Sequence, residues 1–121
     1  MKTINIKGKE YVPVVERVKE FHNIFNSEGH IVTHIVSNDE KRVVVRAEII
    51  FGDKVCFTGH SQAEWGKGMM GDVALEIAET SAIGRALGFA NIGLLDGIAS
   101  ADEVRKVKPK LGEKDEDIID L

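Results

Sequence analysis

Gly66-Lys67-Gly68-Met69-Met70-Gly71 carries the spacing G-x-G-x-x-G between an expected strand and an expected helix. Glycines so placed let a backbone approach a pyrophosphate at a helix N-terminus. The preceding segment, Ser61-Gln62-Ala63-Glu64-Trp65, is too polar for the buried parallel strand that such a site needs. Asp96 has the right distance for a ribose contact, but Leu94-Leu95 before it is too short for the second strand. The loop therefore reads as a connector, with Lys67 able to touch a nucleic-acid backbone. Gly59-His60-Ser61-Gln62-Ala63 has the outline of a nucleophile elbow. It ends in alanine, and no histidine follows Ser61, so the Ser–Asp–His order cannot be completed. Of the four histidines, His22, His30, His34 and His60, the pair His30 and His34 would share a strand face. They would stand about 13 Å apart at about 3.3 Å per residue, too far for one metal ion. Glu76 and Glu79 lie one helical turn apart with no histidine or nucleophile in their segment; Glu79 reads as a partner for Arg85 or for backbone. No catalytic constellation remains. The expectation is a protein that is not an enzyme and uses no cofactor or metal.

What remains is a cluster of bases on one expected sheet face. Arg42, Arg46, Lys54 and His60 alternate with apolar residues, Lys41 and Lys67 stand at the ends, and Trp65 lies where strand meets loop. Cations that follow phosphates, beside rings that stack on bases, are what a single-strand groove requires.

The elements that would hold this face can be read from periodicity. Residues 2–11 alternate weakly and predict a short edge strand. Pro13 suits the first position of a helix. Val14, Val18, Phe21 and Phe25 then continue that helix to about Asn26. Residues 30–37, 42–51 and 55–65 read as strands, with turns at Asn38-Asp39-Glu40 and Gly52-Asp53-Lys54. A three-residue loop pairs Phe51 with Val55. It collects Val43, Val45, Ala47, Ile49, Phe51, Val55, Phe57, Gly59 and Ala63 on one face, and a one-residue slip would mix the two faces. Asp72 is expected to cap a long helix to about Ala90. Leu75, Ala78, Ala82, Ala86 and Phe89 line one side of it; Val73, Ile77, Gly84 and Leu87 line the other. Two apolar sides imply burial against two surfaces, read as the sheet and a second subunit. Ser100 and Glu103 have capping-box spacing for a short last helix.

The chain's 121 residues carry a net charge of −4. Residues 113–121 hold five acids against Lys114 alone, so residues 1–112, with fifteen acids and fifteen bases, are neutral. Pro109 and Gly112 mark a linker into this acidic end. A charge block at a terminus reads as an interaction tail. The single cysteine, Cys56, excludes an internal disulfide, and no apolar stretch reaches the roughly 18 residues of a membrane span. These features, with no signal-peptide pattern in residues 1–9, give the expectation of a cytoplasmic protein without a membrane partner.

The run Ala74-Leu75-Glu76-Ile77-Ala78-Glu79-Thr80-Ser81-Ala82-Ile83-Gly84-Arg85-Ala86-Leu87-Gly88-Phe89, followed by Gly97-Ile98-Ala99-Ser100-Ala101-Asp102-Glu103-Val104, resembles a family of phage early proteins. These are small single-stranded-DNA-binding proteins, including those of lactococcal siphophages, and the similarity runs from Tyr11 to Val104. It implies a variant of the oligonucleotide-binding fold, oligomerisation, no enzymatic activity, and a place in the infected bacterial cell. The order helix, three strands, Gly-rich loop and Ala-rich helix ending Arg-Ala-Leu is also similar to the core of single-strand annealing proteins. There a basic pair on the helix touches DNA; only Arg85 matches, with Gly84 before it, so annealing is the second expectation. Asp115-Glu116-Asp117-Ile118-Ile119-Asp120-Leu121 is similar to the acidic tip of bacterial single-strand-binding proteins, which recruits replication and repair partners.

The expected fold is α+β: an antiparallel sheet of three to five strands, an oligonucleotide-binding variant, with a long buried helix and short flanking helices. Residues 1–107 form the single-stranded-DNA-binding domain and residues 108–121 a flexible acidic tail. The expected DNA-binding residues are Lys41, Arg42, Arg46, Lys54, His60, Trp65, Lys67 and Arg85. The expected function is coating single-stranded DNA in phage replication or recombination; a strand-annealing protein and an adaptor that binds no DNA are the alternatives.

Overall fold

The computed structural model of the chain describes residues 1–68, 71–95 and 97–104. Asp96 and the expected tail, with its residues Asp115, Glu116, Asp117, Ile118, Ile119, Asp120 and Leu121, lie outside the described residues.

Where one short edge strand was expected, residues 4–11 form a hairpin, β1 (Ile4–Ile6) and β2 (Lys9–Tyr11). Lys7 and Gly8 both take positive φ, 54° and 86°, the backbone of a type I′ turn. Helix α1 (Val14–Phe25) buries Val14, Arg17 and Phe21. Pro13 sits one place earlier than expected, at the cap, and its carbonyl accepts the amides of Glu16 (3.1 Å) and Arg17 (3.3 Å). The amide of Val14 donates to Asp102 Oδ1 (2.8 Å), so an acid from the far end of the domain caps this helix. Ser100 Oγ in turn accepts the amide of Glu103 (3.3 Å), one half of the expected capping box.

Strands β3 (Gly29–Asn38), β4 (Arg42–Phe51) and β5 (Lys54–Glu64) form an antiparallel meander in that order. Along most of the hairpin β4–β5 the expected register is present: Ala47 faces Gly59, Ile49 faces Phe57 and Val43 faces Ala63. The turn differs. It has two residues, Gly52 and Asp53, and Phe51 pairs with Lys54. Gly52 at φ 60° occupies the position where a II′ turn takes glycine. A bulge at Cys56 then supplies the extra residue that returns the strand to register. Two assignments reverse in consequence. Val55 lies opposite Ile50 on the polar face, and Lys54 lies opposite Phe51 at the apolar face.

At the β3–β4 turn, Asp39 Oδ1 accepts the amides of Lys41 (2.8 Å) and Arg42 (2.9 Å). These bonds, with the Arg42 charge, hold the Asp39 carboxyl below its ordinary value of 3.8. A depressed folded-state value adds stability above the ordinary value, and that stability is lost as pH falls through the folded one. Asp39→Ala is therefore expected to melt below the native protein at neutral pH. The gap should close under acid in paired melts across the carboxylate range; a gap independent of pH would show that the carboxylate is not its cause.

After a 3-10 turn (Gly71–Val73), helix α2 (Ala74–Phe89) crosses the sheet. Asp72 lies in that turn and makes no cap; Val73 holds the cap position without a side-chain bond. Ala74, Ala78, Ala82 and Ala86, all fully buried, join Val43, Val45, Ala47 and Ile49 in the core. Around Gly84 and Gly88 the second apolar side is covered from within the chain, while Val73 at its start is 37 % exposed. A Cβ on Gly84 would lie 2.7 Å from Val14 Cγ2, and one on Gly88 would lie 3.0 Å from Arg17 Nη1. At these positions α1 and the segment 98–104 stand where a second subunit was expected. Phe89, expected inside, is 48 % exposed at the helix end, with the Arg85 guanidinium 5.7 Å above its ring.

Fully buried Arg17 links these parts. Its guanidinium donates to the carbonyls of Gly84 (2.6 Å), Ile98 (3.1 Å) and Gly93 (3.2 Å). Burial lowers its pKa, and the charges of Glu103 and Asp102 oppose that shift. The fold is α+β, as expected, with five antiparallel strands divided between a hairpin and a three-strand sheet.

Candidate nucleic-acid interface

Both helices pack on one face of the β3–β4–β5 sheet, and among the described residues no element covers the other. In an antiparallel sheet, residues directly opposite point the same way. The outer face is therefore built of cross-strand rows. His30, Ile50 and Val55 form one, and Val32, Glu48 and Thr58 the next. His34, Arg46 and His60 form the third, and Ser37, Val44 and Gln62 the fourth. Arg42 faces Glu64 at the end of the hairpin.

The third row is the centre of the face. Arg46 lies between two imidazoles, one on each neighbouring strand. Its Nε stands 3.3 Å from Glu48 Oε2, and the other oxygen of Glu48 lies 2.9 Å from His34 Nε2. The bond to His34, joined by the charges of His34 and Arg46, holds the Glu48 carboxyl below the usual range, against the desolvation that would raise it. Glu48 thus remains an anion between its two partners.

The structure unites only some of the expected site residues. Arg46 and His60 are cross-strand neighbours, and Arg42 shares their face. Lys41 is exposed in the turn before β4. Lys54, as noted, sits at the apolar side of the other turn. Lys67 pairs with Glu64 (3.4 Å). Arg85 is on α2, across the sheet from Arg46, and pairs with Glu103 at 3.8 Å. His30 and His34 were absent from the expected set because its sheet residues were drawn from the β4–β5 hairpin, without β3. The period-two spacing of His30 and His34 on β3 is the signal that places them there.

Trp65 packs against the core cluster. Its amide donates to the carbonyl of Lys41 (2.9 Å), and its indole Nε1–H donates to Asn38 Oδ1 (2.9 Å). The ring therefore ties the end of β5 to the β3–β4 turn. Trp65→Ala is expected to cost about 2–3 kcal/mol, below the roughly 3–5 kcal/mol of a fully buried ring. Trp65→Phe, which loses the indole bond and one ring but retains a packed aromatic, should cost less, about 1–2 kcal/mol. Denaturant titrations give both values, and equal losses would deny the ring its packing role.

The G-x-G-x-x-G loop closes on itself. The amide of Gly66 donates to Gly71 O (3.3 Å) and that of Gly71 to Gly68 O (3.5 Å). Two of the amides that a phosphate cradle would use are thereby occupied. No group of three or more His, Cys, Asp or Glu side chains able to hold a metal occurs among the described residues. No described helix is long and apolar enough to cross a membrane.

The profile of a family described as Slr1353 N-terminal dsRNA-binding domain-like matches residues 18–90. The chain belongs to this family. The matched stretch runs from the second turn of α1 through β3, β4 and β5 to the end of α2, leaving the β1–β2 hairpin outside. The likeness is thus to a nucleic-acid-binding type of domain; the phage resemblance is a separate and narrower one. No curated protein matches the chain.

Proposed function

We propose that this domain binds nucleic acid on the outer face of the β3–β4–β5 sheet, prefers single-stranded DNA to duplex, and acts by binding without catalysis. The carrying observation is the bare face centred on His34, Arg46 and His60, in a domain of this family. Charge favours that face over the helix layer. The helical side carries Glu16, Glu20, Asp72, Glu76 and Glu79 against Lys19 and Arg85, with Arg17 consumed inside. Phosphates are repelled from such a surface.

The chemistry of the outer face favours unpaired bases. Val32, Val44, Ile50 and Val55 alternate with imidazoles, so apolar patches and rings stand beside the arginines. Unstacked bases offer flat apolar surfaces to such a platform, whereas a duplex hides them and presents phosphates and groove edges. Coating single strands during phage replication or recombination, self-association, and recruitment of partners by residues 115–121 are the finer roles that accompany this reading. Its setting would be the cytoplasm of an infected cell. Strand annealing is the second reading, favoured by the order helix, three strands and Ala-rich helix.

A salt-dependent titration with single-stranded DNA, duplex DNA and duplex RNA tests the proposal. Single strands should bind best, with a log–log salt slope of roughly −2 to −4 at about −0.7 per phosphate. Arg46→Ala should weaken binding and reduce the slope by roughly 0.7. Equal or tighter binding of duplex RNA would overturn the strand preference, and no binding at low salt would overturn the reading itself. Pairing of complementary strands in the same samples would favour annealing.

A further inference from the structure

We propose that His30, His34 and His60 are the groups that make the outer sheet face an anion site, so that nucleic-acid binding is coupled to proton uptake. The inference rests on the functional reading above and adds the source of the attraction.

The permanent charges of the face cancel. Its strands present Arg42 and Arg46 against Glu48 and Glu64. The two sets are also neighbours: Arg46 pairs with Glu48, and Arg42 lies opposite Glu64. At the rim, Lys67 reaches the same Glu64. In the turns, Lys41 stands beside Glu40 and Asp39, and Lys54 beside Asp53. With Glu48 held ionised, no net positive charge remains at the centre for a phosphate to meet. The face nevertheless carries three of the chain's four histidines, one in the His30–Ile50–Val55 row and two flanking Arg46. All three are exposed.

Imidazoles ordinarily gain charge between pH 5 and 8. Protonation of the three would take the strands' outer face from neutral to a charge of three. Cross-strand neighbours stand about 5 Å apart, so His34, Arg46 and His60 span roughly 10 Å across the sheet, wide enough for one backbone to lie along the row. A phosphate seated there stabilises the charged imidazoles beside it, and the charged imidazoles stabilise the phosphate. Binding and protonation are then linked, and each drives the other. His22, the remaining histidine, is on α1 and belongs to the helix layer.

The test is the affinity of the full chain for labelled oligothymidylate, whose base does not titrate in this window, at pH values from about 7.5 down to about 5.5. Anisotropy titrations at fixed ionic strength give the affinity, and melts at each pH confirm that the domain stays folded. Binding is expected to tighten at least tenfold across this range. The log–log salt slope should steepen by up to about 2 at the acid end, about 0.7 for each new cation. His30→Gln, His34→Gln and His60→Gln combined should flatten the pH profile, while His22→Gln should keep it. Binding that is tight and independent of pH would overturn the histidine role and leave the functional reading standing. A pH profile that persists in the triple variant would overturn it equally. Absence of binding at every pH would overturn the functional reading and this inference together.

Discussion

Gly59→Val is expected to destabilise the domain strongly. Gly59 is where β5 passes under α2. A Cβ there would lie 2.6 Å from the carbonyl oxygen of Ala82 and 3.0 Å from Ala86 Cα, and would also press on the Ala86 amide. These are backbone atoms of a helix, so no rotamer change can make room. Forcing extra methylenes into a packed core costs about 1–3 kcal/mol where side chains can yield. Here the whole helix must lift, and the buried stripe Ala74, Ala78, Ala82 and Ala86 loses contact with Val43, Val45, Ala47 and Ile49. The expected loss is at least about 3 kcal/mol, a large part of the 5–15 kcal/mol that a domain possesses. Urea unfolding followed by circular dichroism measures it. Gly59→Ala, one methyl only, should lose less and still fold. A Gly59→Ala midpoint equal to that of the native protein would contradict the close approach.

The second large effect is expected at Arg17. Arg17→Met preserves much of the length and packing but removes the donors to Gly84 O, Gly93 O and Ile98 O. It also leaves Glu103 and Asp102 without the buried charge that faces them. Breaking a buried charged contact from one side costs about 3–5 kcal/mol. Arg17→Lys retains a charge but offers a single ammonium in place of a planar fork, and should recover less than half of this. The loss has a location as well as a size. Gly93 and Ile98, beyond α2, take two of the three bonds, so amide hydrogen exchange around them should accelerate more than in the sheet. Uniform acceleration, or none, would mean that Arg17 does not anchor this segment.

Much of the fold was legible because its periodicities are strong. The alternation in β4 and β5 decided which residues face α2, and the α1 stripe located that helix within a residue. What escaped has physical reasons. Turn length and a bulge at Cys56 compensate one another, so the same distant register arises from two loops, and only Val55 and Lys54 tell them apart. Arg17 stands three residues after Val14 and four before Phe21, inside the apolar stripe of α1, and that position is the clue to its burial. A charge at such a position is easily read as the edge of the stripe, because its partners, Gly84, Gly93 and Ile98, are more than sixty residues away. Likewise, two apolar sides on α2 required two covers, but periodicity cannot say whether the second belongs to the same chain. The site was half legible for a related reason. A hairpin reveals its own two strands, and the third strand, with His30 and His34, joins the face only through long-range pairing.

The alanine stripe of α2 also limits how this sequence can diverge. Most buried positions tolerate exchange among residues of similar volume, and a neighbour can compensate a gain or a loss. Ala82 and Ala86 have no such latitude. Around Gly59 the opposing surface is already bare backbone, so nothing across the contact can shrink to admit a larger residue. Substitution there can run only towards glycine or serine, whereas the outer sheet face can change freely without disturbing the helix layer. Descendants of this domain would therefore preserve small residues at positions 82 and 86, one helical turn apart and opposite Gly59, long after the surface that meets the ligand had become unrecognisable.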